Sequence, residues 1–381
     1  MPANVTPRRL ADMLDSREKF VLLDTRGEES YESWHVRGAK HFPFDADEEL
    51  TDDRKADLDA MLDGQRRILT ICAKGITSDH FADELADAGY DDVAVVTGGM
   101  EAWSQVYDAV PVPTDGDAEI VQVQRRAKGC LGYVVADPAT GEAAVVDPTR
   151  HTSEFRAVAD DHDWDITRVF DTHVHADHVS GGRDLADEVD APYHLSEAAD
   201  ERDVADEFTP LARNEVVEVG DVQLKAIRVP GHTTEMVNIL VNDEAVLTAD
   251  TLHVGSVGRT ELEFGDDEAG KGATMQYESL HRTLLAEPDD VTVLPGHVDV
   301  TSEGEFERGD PGEPISSTIG EARTRYELLQ LDEDAFVDRL TSGDREKPPN
   351  FEEVIAINRG ADEASMEEAT RLELGPNNCS A

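Results

Sequence analysis

Short apolar runs divide the chain into two differently patterned regions. Phe20-Val-Leu-Leu23, Ile68-Leu-Thr-Ile71 and Val93-Ala-Val-Val96 are brief and largely aliphatic or β-branched, and read as buried strands. Between the last two, Phe81, Leu85 and Ala88 recur at helical spacing within Ser78 to Ala88, and Gly89 is a plausible stop. Strands alternating with helices predict a mostly parallel, open α/β sheet. The stretch Pro111 to Ala118 interrupts the pattern and reads as a linker. Beyond it, Ile120–Val123, Tyr133–Ala136 and Ala143–Val146 are successive strands, with Pro138-Ala-Thr-Gly141 as a turn between the last two. Further strands are expected at Arg168–Phe170, Val222–Val229, Met236–Val241, Ala245–Leu247 and Val291–Leu294, interleaved with helices. From about Ser316 the pattern is helical, ending in a tail. The expected divisions are therefore 1–110, a linker at 111–118, a second domain at 119–300 and a helical extension at 301–381.

Composition narrows the class of protein. No apolar run approaches the ~20 residues a membrane helix needs, and the first residues lack an apolar signal core. The expectation is a cytoplasmic protein without a membrane partner. Acidic residues number 84 against 34 basic ones, a net charge of −50, and they are spread along the whole chain. Such a spread predicts a generally anionic surface, which suits a halophilic setting where salt screens self-repulsion. It argues against nucleic acid, whose phosphates need a basic face. Three cysteines, Cys72, Cys130 and Cys379, are too few and too scattered for a disulfide framework. Composition leaves a homo-oligomer open.

Cys72-Ala-Lys-Gly-Ile-Thr-Ser78 follows a strand and opens a helix that Ser78 can cap. Loop amides and the helix dipole place the sulfur in positive potential, which favours thiolate and a persulfide-carrying role. The alternative is a small buried hydrophobe at a strand end. The surroundings add Leu22-Leu-Asp24-Thr-Arg26, Tyr31-Glu-Ser-Trp34-His35-Val-Arg-Gly38 and Gly98-Gly99-Met-Glu-Ala-Trp103. As a set, over about residues 5–110, these resemble the rhodanese family. That resemblance implies catalytic Cys72 as a sulfur carrier, with Asp24 and Arg26 structural or near the site, and sulfite or thiosulfate as reaction partners. Lys74 and Thr77 stand where many family loops carry Arg, and Trp34 replaces the customary Gly.

The second domain carries a denser signal. Thr172-His173-Val-His175-Ala-Asp177-His178 leaves a strand and ends at Gly181-Gly182. Three imidazoles and a carboxylate so close together are costly in a core and suit a borderline divalent metal. Pro230-Gly-His232, Leu247-Thr-Ala-Asp250 and Leu294-Pro-Gly-His297 follow, each at a strand end where loops gather into a site. With Asp147, this series resembles the metallo-β-lactamase superfamily from about residue 118 to 300, which implies an αβ/βα sandwich. The inventory can serve two metals, one at His173, His175, His232 and Asp250, the other at Asp177, His178, His297 and a bridging Asp250.

Gly255-Ser-Val-Gly-Arg259-Thr-Glu-Leu262 and Gly129-Cys130-Leu-Gly-Tyr133 are similar to the persulfide dioxygenases of the glyoxalase II-like group. That resemblance implies one Fe(II) per chain held by His173, His232 and Asp250, with His175, Asp177, His178 and His297 orienting ligands and water. It also implies a low-molecular-weight thiol persulfide and O2 as substrates, and Arg259 as a contact for the thiol's carboxylates. For Cys130 a strand-core role remains open beside a catalytic one. A glyoxalase II-like thioesterase with one or two Zn(II) ions uses nearly the same ligands and stays as the alternative.

Overall fold

The computed structural model describes residues 2–114, 116–205, 207–342 and 347–376, with 266 and 267 described by backbone alone. The first hundred residues alternate strand and helix: β1 (Ala3–Val5), α1 (Pro7–Asp15), β2 (Val21–Asp24), α2 (Glu28–Ser33), β3 (Lys40–His41), α3 (Asp52–Leu62), β4 (Arg67–Ile71), α4 (Ile76–Asp87), β5 (Asp92–Val96) and α5 (Gly99–Trp103). The strands are all parallel, in the order β1-β5-β4-β2-β3. A parallel sheet needs cover on both faces, and the apolar runs provide for it. Leu10, Met13, Met100 and Trp103 pack on one side, and Leu58, Leu62, Phe81 and Leu85 on the other.

Next come β6 (Tyr107–Val112), β7 (Glu119–Arg125), β8 (Leu131–Asp137), β9 (Glu142–Val146), α6 (Thr152–Asp161), β10 (Asp165–Phe170), α7 (Gly182–Val189), β11 (Tyr193–Ser196) and β12 (Thr209–Leu211). They build a seven-stranded sheet in the order β12-β11-β10-β9-β8-β7-β6. The expected linker meets a different arrangement here. β6 pairs antiparallel with β7, Pro111 opposite Val121, so the chain joins the second sheet at Tyr107. The stretch that reads as a linker is the end of β6 and its connection to β7. A proline is tolerated in β6 because that strand lies at the sheet edge, where a missing N–H breaks no ladder.

The remaining elements are β13 (Val216–Val219), β14 (Val222–Arg228), β15 (Val237–Val241), β16 (Ala245–Ala249), α8 (Glu261–Arg282), β17 (Thr292–Pro295), β18 (Ser317–Thr318), α9 (Ile319–Arg325), α10 (Glu333–Thr341), α11 (Phe351–Asn358) and α12 (Met366–Leu372). Strands β13 to β18 form a six-stranded sheet in sequence order. The short β18, inside the stretch expected to be helical, completes it by pairing with β17.

The two larger sheets pack face to face. Ile120, Tyr133, Val146 and Phe170 from one meet Leu224, Ile239, Leu247 and Leu294 from the other in a single apolar cluster. Phe155 and Val158 of α6 and Leu185 of α7 cover the outer face of the first sheet. Ala273 and Leu280 of α8, Ile319 of α9 and Phe336 of α10 cover the outer face of the second. This is the αβ/βα sandwich the resemblance implies, beside an open α/β sheet.

The C-terminal extension touches both parts. Leu374 packs in the cluster around Trp34, while Asn358 and Glu373 reach the second domain. Arg126 ties the parts together through Asp15 at 2.8 Å and Asp108 at 2.8 Å. Cys379 lies outside the described residues.

Candidate metal centre

Strand ends deliver the ligands. β10 feeds the His173–His178 loop, the β14–β15 connection carries His232, β16 ends just before Asp250 and β17 just before His297. Tight backbone makes the convergence possible. A Cβ on Gly258 would sit 2.0 Å from the Asp250 carbonyl, and one on Gly296 would sit 3.0 Å from Asp250 Oδ1. His173, His175, Asp177, His178, His232, Asp250 and His297 are all buried.

Among the described residues four groups of candidate donors form: His173, His232 and Asp250; Cys130, Asp177, His178 and His297; Asp250, His253 and His297; and Asp147, Asp171 and His175. In the first, donor atoms of His173, His232 and Asp250 lie within 4.8 Å of one another. Asp250 Oδ2 is 3.5 Å from His232 Nε2 and 3.9 Å from His173 Nε2. The far side of each ligand is held. His173 Nδ1 meets Thr172 Oγ1 at 2.9 Å, and Asp147 accepts from the Thr172 amide and hydroxyl. His232 Nδ1 lies 2.6 Å from the Arg259 carbonyl. Asp250 Oδ1 faces His297 Nδ1 at 2.5 Å and His253 Nε2 at 3.2 Å.

The second set comprises Cys130, Asp177, His178 and His297. Asp177 Oδ2 is 2.8 Å from His297 Nε2, 3.1 Å from His178 Nδ1 and 3.4 Å from Cys130 Sγ. His297 thus spans Asp177 and Asp250 with both ring nitrogens. His175 turns away from these two sets, with Nε2 3.3 Å from Asp147 and 3.8 Å from Asp171.

The residues fit a divalent metal. Among the described residues, His173 Nε2 and Asp250 Oδ2 of the first set and His178 Nε2 of the second are buried without a hydrogen-bond partner, a costly state that a bound cation relieves. The electrostatics agree. Burial and His175 hold His173 well below its ordinary range, and burial lowers His232. Both are therefore neutral at pH 7, as metal ligands must be. Burial works to raise Asp250, but His297, His253 and His232 hold its carboxyl well below the usual carboxylate range. Burial opposes charge on His297 too, yet Asp177 and Asp250 raise it well above ordinary imidazole. His178 is raised to about 9 against its burial, chiefly by Asp177. For Cys130, burial and Asp177 act upward, but His178 and His297 outweigh them and bring the thiol to about 7.

One site residue escaped the sequence. His253 reaches Asp250 Oδ1, and its place three residues after Asp250 was the available signal. Cys130 belongs to a donor set as well as to a strand bridge with His297. Arg259, expected at the substrate carboxylates, is buried and ion-paired with Glu261 at 2.5 Å, and its carbonyl positions His232.

The extension braces the metal loop from behind, which no local pattern announced. Asn358 Nδ2 donates to the His175 and His178 carbonyls, each at 2.8 Å, and its Oδ1 accepts from the Ser180 amide. Glu373 accepts from the Val179 amide at 2.7 Å, and pairs with buried Arg125 at 2.7 Å and Arg150 at 3.1 Å.

Cys72 occupies a separate place, at the β4–α4 turn. Its sulfur receives the Gly75 amide at 3.1 Å and the Ser78 hydroxyl at 3.3 Å. The helix cap is Gly75, in a left-handed conformation, so Ser78 serves the sulfur instead of the helix end. Gly99 sits at φ +59 against the loop, where a Cβ would come within 2.2 Å of the Cys72 carbonyl. Asp24 and Arg26 form a buried ion pair at 2.7 Å. Lys74 stands at the rim, 3.1 Å from Glu101.

Comparison with known proteins agrees with this geometry. Residues 6–106 match the rhodanese-like domain family and residues 125–297 the metallo-beta-lactamase superfamily. A hydroxyacylglutathione hydrolase of Rhodopseudomonas palustris is 33% identical over 204 residues, covering 53% of this chain and 74% of the relative. Among solved structures, a metallo-beta-lactamase from Staphylococcus aureus aligns with a TM-score of 0.58 and 25% identity, covering 66% of this chain and 75% of that one. ETHE1 from Myxococcus xanthus aligns with a TM-score of 0.55 and 24% identity, covering 64% of this chain and 99% of that one. With a sandwich whose strand ends gather a buried His/Asp metal centre, and a cysteine loop on its own parallel sheet, the chain belongs to the metallo-β-lactamase superfamily, fused to a rhodanese-like domain.

Proposed function

We propose that this chain is an iron-dependent persulfide dioxygenase joined to a sulfurtransferase. The observation that carries the reading is the buried triad of His173, His232 and Asp250. Two imidazoles and one carboxylate with open positions beside them is the donor set of non-haem Fe(II) oxygenases. The neighbouring groups favour one metal over two. Both nitrogens of His297 are taken by carboxylates, and His175 is turned toward Asp147 and Asp171.

The reaction is R–S–SH + O2 + H2O giving R–SH, sulfite and two protons. When bound, Fe(II) would supply the positions at which persulfide sulfur and O2 meet. The chain's own residues set the geometry. Thr172 fixes His173 through Nδ1, the Arg259 carbonyl fixes His232 through Nδ1, and His297 and His253 hold Asp250 Oδ1 so that Oδ2 points inward. Asp177 in turn holds His297 Nε2, so a substitution there disturbs Asp250 at one remove. Burial of the whole set keeps bulk water from the ligands.

At the other site, the Cys72 thiolate attacks the sulfane sulfur of a persulfide donor. The S–S bond of the donor breaks, Cys72 carries the new persulfide, and the donor leaves as thiol with the proton. The Gly75 amide and Ser78 hydroxyl are placed to hold the sulfur during this exchange. Sulfite from the metal site is an acceptor for that sulfur, giving thiosulfate.

A second reading is favoured by the name of the Rhodopseudomonas palustris relative, a hydroxyacylglutathione hydrolase. In it a Zn(II)-activated water cleaves a thioester. Anaerobic purification, metal analysis and an oxygen electrode separate the two. The dioxygenase reading expects about one iron per chain and O2 uptake stoichiometric with sulfite when a thiol persulfide is added. Two zincs, no O2 uptake and hydrolysis of S-acyl thiols would overturn it.

A further inference from the structure

Asp250 is held by His297 and His253, whereas the two imidazole ligands of the triad sit on loops that need support of their own. Three charged side chains provide it. Glu235, on the His232 loop, is fully buried, and its Oε1 accepts from the Val174 amide, between His173 and His175, at 2.8 Å. Glu263 accepts from the next part of the His232 loop, its Oε2 from the Thr234 amide at 2.7 Å and its Oε1 from the Thr234 hydroxyl at 2.7 Å. Arg202 joins the two carboxylates. Its Nη1 donates to Glu235 Oε2 at 2.7 Å and to Glu263 Oε2 at 2.6 Å.

Charge balance makes the guanidinium the decisive member. The Arg202 and Glu263 side chains are only 10% and 15% exposed. Two carboxylates facing one cation leave this cluster with a net negative charge, and without the cation they repel each other where little water can screen them. The repulsion is already felt at Glu263. Burial raises its pKa most, Arg202 opposes, and Glu235 raises it further, leaving the carboxyl above its ordinary value. Regular structure fixes neither end of the clamp. Arg202 closes a short 3-10 helix, Glu197–Arg202. Gly265, at φ +68, breaks α8 after its first turn, so the turn bearing Glu263 takes its position from side-chain contacts.

We propose that Arg202 is a positioning residue for the metal centre, setting the separation of the His173 and His232 loops by holding Glu235 and Glu263 together. The guanidinium acts through the Val174 and Thr234 amides, one on each loop. Removing it frees the two carboxylates to move apart and carries the loops, with their imidazoles, along with them. This inference rests on His173, His232 and Asp250 forming the metal site, and it holds equally for oxidation or hydrolysis.

Co(II) binding to the metal-free full chain tests it without turnover. Competition with a chelator reads the affinity, and visible absorption of bound Co(II) reads the ligand set. Arg202→Met should weaken affinity by about tenfold or more, as the loss of a group behind a metal ligand does, and should alter the spectrum. Taking away one of the opposing charges should undo this. Glu263→Gln keeps the shape of the side chain, and added to Arg202→Met it should return affinity to within about threefold of native and restore the spectrum. A core damaged by one substitution is not repaired by a second, so this recovery separates positioning from a merely structural role. Arg202→Lys, which keeps the charge, should lie between native and Arg202→Met. If circular dichroism shows Arg202→Met unfolded, Arg202→Lys with and without Glu263→Gln carries the same comparison. Affinity within about twofold of native in folded Arg202→Met, or losses that simply add in the double variant, would overturn the assignment. Absence of Co(II) binding by the native chain would overturn it together with the metal centre. Missing O2 uptake with the recovery intact removes only the dioxygenase reading.

Discussion

Replacing Glu373 by glutamine keeps the shape of the side chain and removes only its charge. In the native chain that carboxylate is 1% exposed and faces Arg125, Arg150 and the Val179 amide. Burial acts to raise its pKa, but Arg125, Arg150 and Lys128 overcome this and bring it from 4.5 to about 2. A downward shift of that size corresponds to roughly 3 kcal/mol of stability. Removing one partner from a buried ion pair costs about 3–5 kcal/mol by a separate route, so the two magnitudes agree. The sign follows from the depressed value. The contribution is complete above the unfolded-state value near 4.5 and is lost as pH falls toward about 2. Glu373→Gln should therefore lower stability by about 3 kcal/mol at pH 7, or about 4–5 °C in melting temperature for a chain of this size. The gap between the two proteins should narrow by about 1 kcal/mol at pH 3.5. Urea unfolding followed by circular dichroism at pH 7, 5 and 3.5 reads both quantities. A gap below about 1 kcal/mol at pH 7, or one that is the same at all three pH values, would refute the reasoning.

Three further outcomes are expected. Asn358→Ala removes the donor to the His175 and His178 carbonyls and the acceptor for Ser180, so metal affinity measured by competition with a chelator should fall about tenfold, while the far-ultraviolet spectrum is kept. Unchanged affinity would mean that the metal loop holds itself. Cys72→Ser should abolish sulfur transfer in a thiosulfate or persulfide assay and leave metal content at the native level; loss of metal would contradict two separate sites. With 84 acidic residues and a net charge of −50, melting temperature should rise between low and molar KCl, and a flat response would count against adaptation to salt.

Much of the architecture was legible from local pattern. The expected strands at 68–71, 93–96, 143–146 and 168–170 fall within β4, β5, β9 and β10, because buried parallel or central strands must be apolar along their length. The His173–His178 loop was equally visible, since so many imidazoles in six positions have few uses other than a metal. Where local reasoning slipped, a neighbour in space had decided. Pro111 reads as a break, yet an edge strand has no inner partner to lose, so β6 keeps it. Ser78 reads as a cap, yet the Cys72 sulfur is closer to hand.

What the chain by itself determined is the set of strands, the two domain types and the inventory of His, Asp and Cys that can carry chemistry. What tertiary structure decided is which of those atoms face one another. His175 belongs to the same short motif as His173, and only its rotation toward Asp147 and Asp171 separates their roles. Glu373 meets Arg125 across 248 positions, and Gln122 meets Ile315 across 193. Periodicity of two or 3.6 residues speaks only for neighbours along a strand or helix. Contacts at such separations come from the packing of whole elements, and that is where the brace behind the metal loop arises.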